Sequence, residues 1–277
     1  MYQGITPTKF GYEPAADAFR AGRLHLHSGG TLATVDHEPP LPVLDQEDLI
    51  AQGIDTSRLV PGAQRVDALG SCTCQAGTVS LGERYAAVRG ATSLAGIGLS
   101  ATDSQRDEEY AIVLYHQVTD QTGSPASEWP PTDCGSSGLF VCHELEARGL
   151  IAGHKTAGDI TSLVSLLQGG TVIMGLPWFR SWMTPDAGGF VDGQGGVMDL
   201  ERSIASGVAG GHETCISAVE RLSFTGSGEV DPFGSHVRVR NSWSEAWGDH
   251  GSYRIHLSTL AMLGRYADFR QLIVTEA

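Results

Sequence analysis

Between Cys72 and Arg89 apolar side chains return with helical spacing. Cys74, Leu81, Tyr85 and Val88 stand seven, four and three residues apart, which lines one face of a helix. The pattern predicts a helix over 72–89 with Cys74 turned into a core, while Cys72 lies about 200° around the axis and points elsewhere. Gly77 and Gly82 weaken such a helix in isolation, so packing must hold it. Further helices are expected at about 107–119, from Gly135-Ser136-Ser137 to about Gly149, and from Asp159 to Gly169-Gly170, with Ser and Gly at their ends. The period then changes. Residues 171–176 are a short apolar run of strand type, and 215–219, 236–240 and 252–257 alternate with period two.

Helices first and strands afterwards predict an α+β protein of two lobes, about 61–170 and 171–277. Residues 1–60 are rich in Gly and Pro and lack periodicity. They are expected to wrap the domain as an extended segment, since each Pro of Glu38-Pro39-Pro40-Leu41-Pro42 turns its predecessor away from helix.

At 277 residues the chain can bury one large core or two packed lobes, and 41% apolar residues suffice for that. No stretch is long and apolar enough to span a bilayer, and the residues after Met1 show no basic segment followed by an apolar run. A cytoplasmic location without membrane association is the expectation. The formal net charge of -14 disfavours nucleic-acid binding, which draws its affinity from Lys and Arg. Five cysteines, an odd number, fit a reduced compartment better than a disulfide scaffold. Cys72 and Cys74 lack the two-residue gap of zinc and redox motifs. Cys134, Cys142 and His143 form the remaining conceivable zinc set, and no metal is expected.

Three separated stretches carry chemistry. They are Leu69-Gly70-Ser71-Cys72-Thr73-Cys74, Gly210-Gly211-His212-Glu213, and Arg240-Asn241-Ser242-Trp243-Ser244-Glu245-Ala246-Trp247-Gly248. A thiol becomes a nucleophile when its thiolate is favoured, as at a helix N-terminus or beside an imidazolium. Cys72 opens the predicted helix. His212 follows a flexible Gly pair at a strand start and can hang into a cleft as a base. Asn241 can accept from one imidazole N–H and so fix tautomer and ring direction without adding charge. Cys74 is the rival nucleophile, but the helical stripe sends it into the core.

The order Cys, His, Asn-Ser-Trp resembles the papain-like cysteine peptidases, in particular their bacterial and phage-type branch. Gly70 to Ala76 is similar to that branch's Gly-Ser-Cys-Thr-X-X-Ala, which selects Cys72. The run from Asn241 through Trp247-Gly248 to Gly251-Ser252-Tyr253-Arg254-Ile255 is similar to the family's Asn-Ser-Trp-Gly-X-X-Trp-Gly-X-X-Gly-Tyr-X-X-Ile. Leu114-Tyr115, Asp133 to Ser137, Val172 to Pro177 and, loosely, Phe10 to Pro14 extend the likeness.

The resemblance implies a papain-like two-lobed fold, with a helical first lobe carrying the nucleophile on its central helix and a β-rich second lobe. It implies peptide-bond hydrolysis through an acyl-enzyme, with Cys72 as nucleophile, His212 as proton shuttle and Asn241 as orienting group. Trp243 would shield the His–Asn bond, and Gly135, Ser136 and Ser137 would border a bound peptide. A peptide or protein is the implied partner, and no cofactor is implied.

Two departures stand out. The family places an oxyanion-stabilising Gln six residues before the nucleophile, where this chain has Val66; Gln64 could substitute only if the loop is rebuilt. Losing one oxyanion donor costs on the order of 100- to 1000-fold in rate. Ser244 stands where the family has Gly. A catalytically impaired peptide-binding or structural module is therefore the competing reading, and acyl transfer or deamidation on the same triad is a third.

Overall fold

In the computed structural model, residues 31–120 and 128–276 are described. The expected extended segment falls partly outside them, as do Phe10 to Pro14. From residue 31 the elements are β1 (Val35–Asp36), α1 (Thr56–Leu59), α2 (Cys72–Arg89), α3 (Ser104–Asp120), α4 (Gly138–Ala147), β2 (Gly153–Thr156) and α5 (Ile160–Leu167). There follow β3 (Val172–Phe179), α6 (Val197–Ser206), β4 (Val208–Arg221), β5 (His236–Arg240), β6 (Ser252–His256), α7 (Leu257–Leu263) and β7 (Asp268–Ile273). The strands form one antiparallel sheet in the order β2-β7-β3-β4-β5-β6, with β1 paired to β4.

Two apolar cores flank this sheet. The first joins Cys74, Leu81 and Tyr85 of α2 to Ile112, Leu114 and Tyr115 of α3 and to Val141, Cys142 and Leu145 of α4. The second lies among β3, β4, β5, β6 and α7, with Trp178 and Trp243 fully buried in it. Packing groups α5 with the second core through Leu163, Val164, Leu166 and Leu167, although it precedes residue 171. Asp159 caps α5: its carboxylate accepts from the Ser162 N–H, and the Ser162 hydroxyl faces the Asp159 N–H in return. Residues 39–60 do more than coat the surface. Leu41, Leu44, Leu49, Ile54 and Val60 are buried in the first core.

Helix α2 runs through the protein's centre, so both faces are covered. Cys72 through Glu83 are all buried, polar residues included. The two glycines that weaken it in isolation are what let its neighbours close in. A Cβ on Gly77 would lie 2.5 Å from Val141 Cγ1 of α4, and one on Gly82 would lie 2.8 Å from Leu41 Cδ1. Among the described residues no helix is long and apolar enough to cross a membrane.

Candidate active site

Strand alternation decides where His212 points. On β4, His212 stands opposite Leu176 and Glu213 opposite Gly175 of β3, and the two side chains leave opposite faces of the sheet. Glu213 reaches Gly138 at the start of α4, while His212 enters the aromatic cluster of the second core. The Trp243 ring stacks on the imidazole at 4.4 Å and 15°, and Trp178 meets it edge-on at 5.0 Å. Trp178 carries no signal in the sequence motifs. It reaches the site because β3 places it across from Gly210, which leaves room for an indole.

His212 Nε2 and Asn241 Oδ1 lie 2.7 Å apart, and the Ser242 N–H donates to the same Oδ1 at 2.8 Å. A backbone N–H can only donate, so that atom is the amide oxygen. Nε2 therefore carries the proton, and Nδ1 holds the lone pair that can act as a base. The Asn241 N–H donates to the Gly251 carbonyl at 2.9 Å, which anchors the turn. Ser244 has a positive φ of 63°. That backbone costs a non-glycine residue about 1 kcal/mol.

Cys72 is the first residue of α2, after an N-cap Ser71. It has no exposed surface and belongs to neither apolar core. Cys74 lies in the first core, where burial pushes its thiol well above the ordinary range. Burial likewise raises Cys142, and Cys215 to about 12. Helix α2 meets the Asn241 turn directly: a small pocket is lined by Gln75 and Ala76 on one side and by Thr214, Asn241 and Ser242 on the other.

The residues before Cys72 are tied to that turn through Gln46. The Leu69 N–H donates to the Gln46 carbonyl at 3.0 Å, and the Gln46 N–H donates to the Ser242 carbonyl at 3.1 Å. The Ser242 hydroxyl donates to Gln46 Oε1 at 2.8 Å, so the buried amide presents Nε2 as its donor end. Gln46 escaped the sequence reading because residues 47–66 intervene before Cys72. The Leu49 N–H donates to the Asp67 carbonyl at 2.8 Å and pinches that loop at its neck.

Gln64 is elsewhere. It is exposed, and its carbonyl accepts from the Thr56 hydroxyl at 2.6 Å. The Val66 N–H bonds to the same hydroxyl, and its side chain packs on the first core.

Gly135, Ser136 and Ser137 are buried, and the loop before them is tied to the residues preceding Cys72. The Gly70 N–H donates to both Asp133 carboxylate oxygens at 3.1 Å. The Tyr115 hydroxyl donates to Asp133 and accepts from the Gly135 N–H. The residues before Cys72 are thus bonded to the Asn241 turn through Gln46 and to Asp133 beside the 135–137 turn, and Asn241 holds His212 against Trp243, while Gln64 takes part in none of these contacts. Among the described residues, no group of three His, Cys, Asp or Glu side chains is arranged to hold a metal ion.

Burial pushes His212 down to about 4 from 6.5, partly opposed by its bond to Asn241. While the site stays closed, the imidazole is neutral at pH 7. As pH falls from 6.5 toward 4, the unfolded chain takes up a proton that the folded one refuses. Stability from this residue is therefore full above pH 6.5 and lost as pH falls, by up to about 3 kcal/mol. Urea unfolding of wild type and His212→Gln between pH 7 and 4.5 should show their stability difference shifting in this direction. A difference independent of pH would contradict a buried neutral imidazole.

No family model matches the sequence, and no curated protein matches it. Solved structures do. ProCathepsin B S9 from Trypanosoma congolense is similar at 10% identity and a TM-score of 0.54, over 97% of this chain and 87% of that one. Xylellain, a cysteine protease from Xylella fastidiosa, is similar at 18% identity and a TM-score of 0.46, over 97% and 92%. A recombinant stem bromelain precursor is similar at 12% identity and a TM-score of 0.48, over 98% and 76%. With its helical first half, its antiparallel sheet and the likeness to proCathepsin B S9, the chain has the α+β fold of the papain-like cysteine proteases.

Proposed function

We propose that this protein is a cysteine peptidase that cleaves peptide bonds through Cys72, His212 and Asn241. The observation that carries the reading is the fixed tautomer of His212. Asn241 holds the Nε2 proton and leaves Nδ1 basic, under the cover of Trp243. In the reaction, Nδ1 takes the Cys72 proton and the thiolate adds to the scissile carbonyl. Negative charge builds on the carbonyl oxygen, where the Cys72 N–H and the Gln46 Nε2 amide are the donors we assign. His212 then gives its proton to the leaving amine, which leaves a thioester. Water, deprotonated by Nδ1, hydrolyses that thioester and frees Cys72.

The impaired-module reading rested on Val66. Gln46 supplies an amide from another part of the chain, so Val66 no longer carries that reading. Resolution of the thioester by an amine would turn the same triad to acyl transfer. A peptide or protein is the partner proposed. All five cysteines are free thiols, which fits a reducing compartment such as the cytoplasm.

Because Cys72 is fully buried, substrate and probe reach it only when the site opens. The test is intact-mass labelling with an epoxysuccinyl probe or dilute iodoacetamide on wild type, Cys72→Ala, Cys74→Ala and His212→Ala. Single-site labelling that disappears in Cys72→Ala and slows greatly in His212→Ala is the expected result. Labelling that survives Cys72→Ala would sink the assignment, and loss in Cys74→Ala instead would move the nucleophile by two residues.

A further inference from the structure

We propose that Glu108 is a positioning residue for this site: its buried carboxylate ties the segment carrying Gln46 to the first turn of α2, which carries Cys72. The inference rests on the peptidase reading above. Glu108 lies on α3 with no exposed surface. Its Oε2 accepts from the Asp45 N–H at 2.9 Å, one residue before Gln46. Its Oε1 accepts from Gln75 Nε2 on α2, and the same Nε2 donates to the Ser71 hydroxyl at 3.1 Å, one residue before Cys72. A single carboxyl group thus reaches the residue next to the assigned oxyanion donor and, through one amide, the residue next to the nucleophile.

Both oxygens of Glu108 are acceptors facing donors, which is the bonding pattern of the ionised form. A proton on either oxygen turns one of those contacts into donor against donor. That loosens the Gln46 segment or the α2 start. The charged groups facing Glu108 are Asp45 beside Gln46 and Asp107 on its own helix, both acidic, while α2 contributes the neutral Gln75. With burial as the main cause, Glu108 is raised to about 7, and Asp45 and Asp107 to about 6. Ionisation of Glu108 therefore falls near neutral pH, and the site tightens as pH rises through that point. The same ionisation lowers stability. The unfolded chain releases this proton near 4.5 and the folded chain near 7, so the contribution of Glu108 to stability falls as pH rises across that window.

The experiment is a pair of pH profiles from 5.5 to 9, peptide hydrolysis and iodoacetamide alkylation of Cys72, on wild type, Glu108→Gln and Gln75→Met. In wild type both rates should include a rise with a midpoint near 7 that Glu108→Gln lacks. Above pH 8 Glu108→Gln should lose about tenfold in kcat with KM changed less than about twofold. Gln75→Met cuts only the branch to Ser71, so it should remove the rise from alkylation and leave it in hydrolysis. A Glu108→Gln profile that keeps the rise overturns the proposal. So does a loss by the same factor at every pH, which is what a merely structural role would give. Should wild type hydrolyse no peptide, the peptidase reading fails by itself, and the alkylation profiles alone decide for or against Glu108.

Discussion

Cys72→Ala is expected to lower kcat/KM for peptide hydrolysis by on the order of 10⁴-fold or more, the scale seen when a catalytic triad loses its nucleophile. What remains is binding and oxyanion stabilisation without a covalent path. The variant should fold. It removes one small side chain that belongs to neither apolar core, at a cost of about 1 kcal/mol. Cys74→Ala is the control that separates chemistry from packing. Its thiol is buried in the first core and pushed away from ionisation, so the change should reduce stability by a similar amount and spare hydrolysis. Steady-state kinetics beside thermal melts read both quantities. Equal losses of activity in the two variants would mean that α2 packing, and not the Cys72 thiol, was being measured.

Gln46→Ala should cost about 100- to 1000-fold in kcat with little change in KM, as expected for a donor that acts on charge present only in the transition state. Gln64→Ala should change neither, because that side chain is exposed and outside the site. Gln46→Glu is a sharper version. It keeps the Cα position and the backbone bonds to Leu69 and Ser242 but offers no N–H to an oxyanion. If Gln46→Ala retained full kcat, the oxyanion donor would have to be sought elsewhere and the Val66 position would again argue for an impaired site.

The sequence made α2 readable because its spacing is local: an apolar stripe at helical period needs no knowledge of the rest of the chain. His212, Asn241 and Trp243 were readable from distinctive local neighbours, although His212 lies inside β4 with the Gly pair already in the strand, while Asn241 and Trp243 follow the end of β5. Gln46 was not. Counting back from Cys72 assumes that the chain runs straight to the nucleophile, and here residues 47–66 leave and return through the neck at Leu49 and Asp67. Trp178 was hidden because its contact with His212 depends on the pairing of β3 with β4, a long-range register. Glu108 was hidden because a Glu among the charges of Arg106, Asp107, Glu108 and Glu109 reads as a solvated face, and only the packing of α3 on α2 buries it. The same packing explains why polar residues such as Gln75 sit inside a central helix.

The aromatic cluster around His212 has an optical consequence. Of the five tryptophans, Trp178, Trp182, Trp243 and Trp247 lie within it, with Trp178 at 5.3 to 6.4 Å from the other three by ring centroid, and Trp129 stands apart beside Tyr115 in the first core. Indoles this close couple electronically and share near-ultraviolet circular dichroism bands, and an imidazolium in contact with an indole quenches its emission. The protein therefore carries its own reporter. A change in ring stacking or in the charge of His212 alters the intrinsic fluorescence and dichroism of four residues at once, so opening of the site and proton uptake can be followed in real time without a label or a substrate.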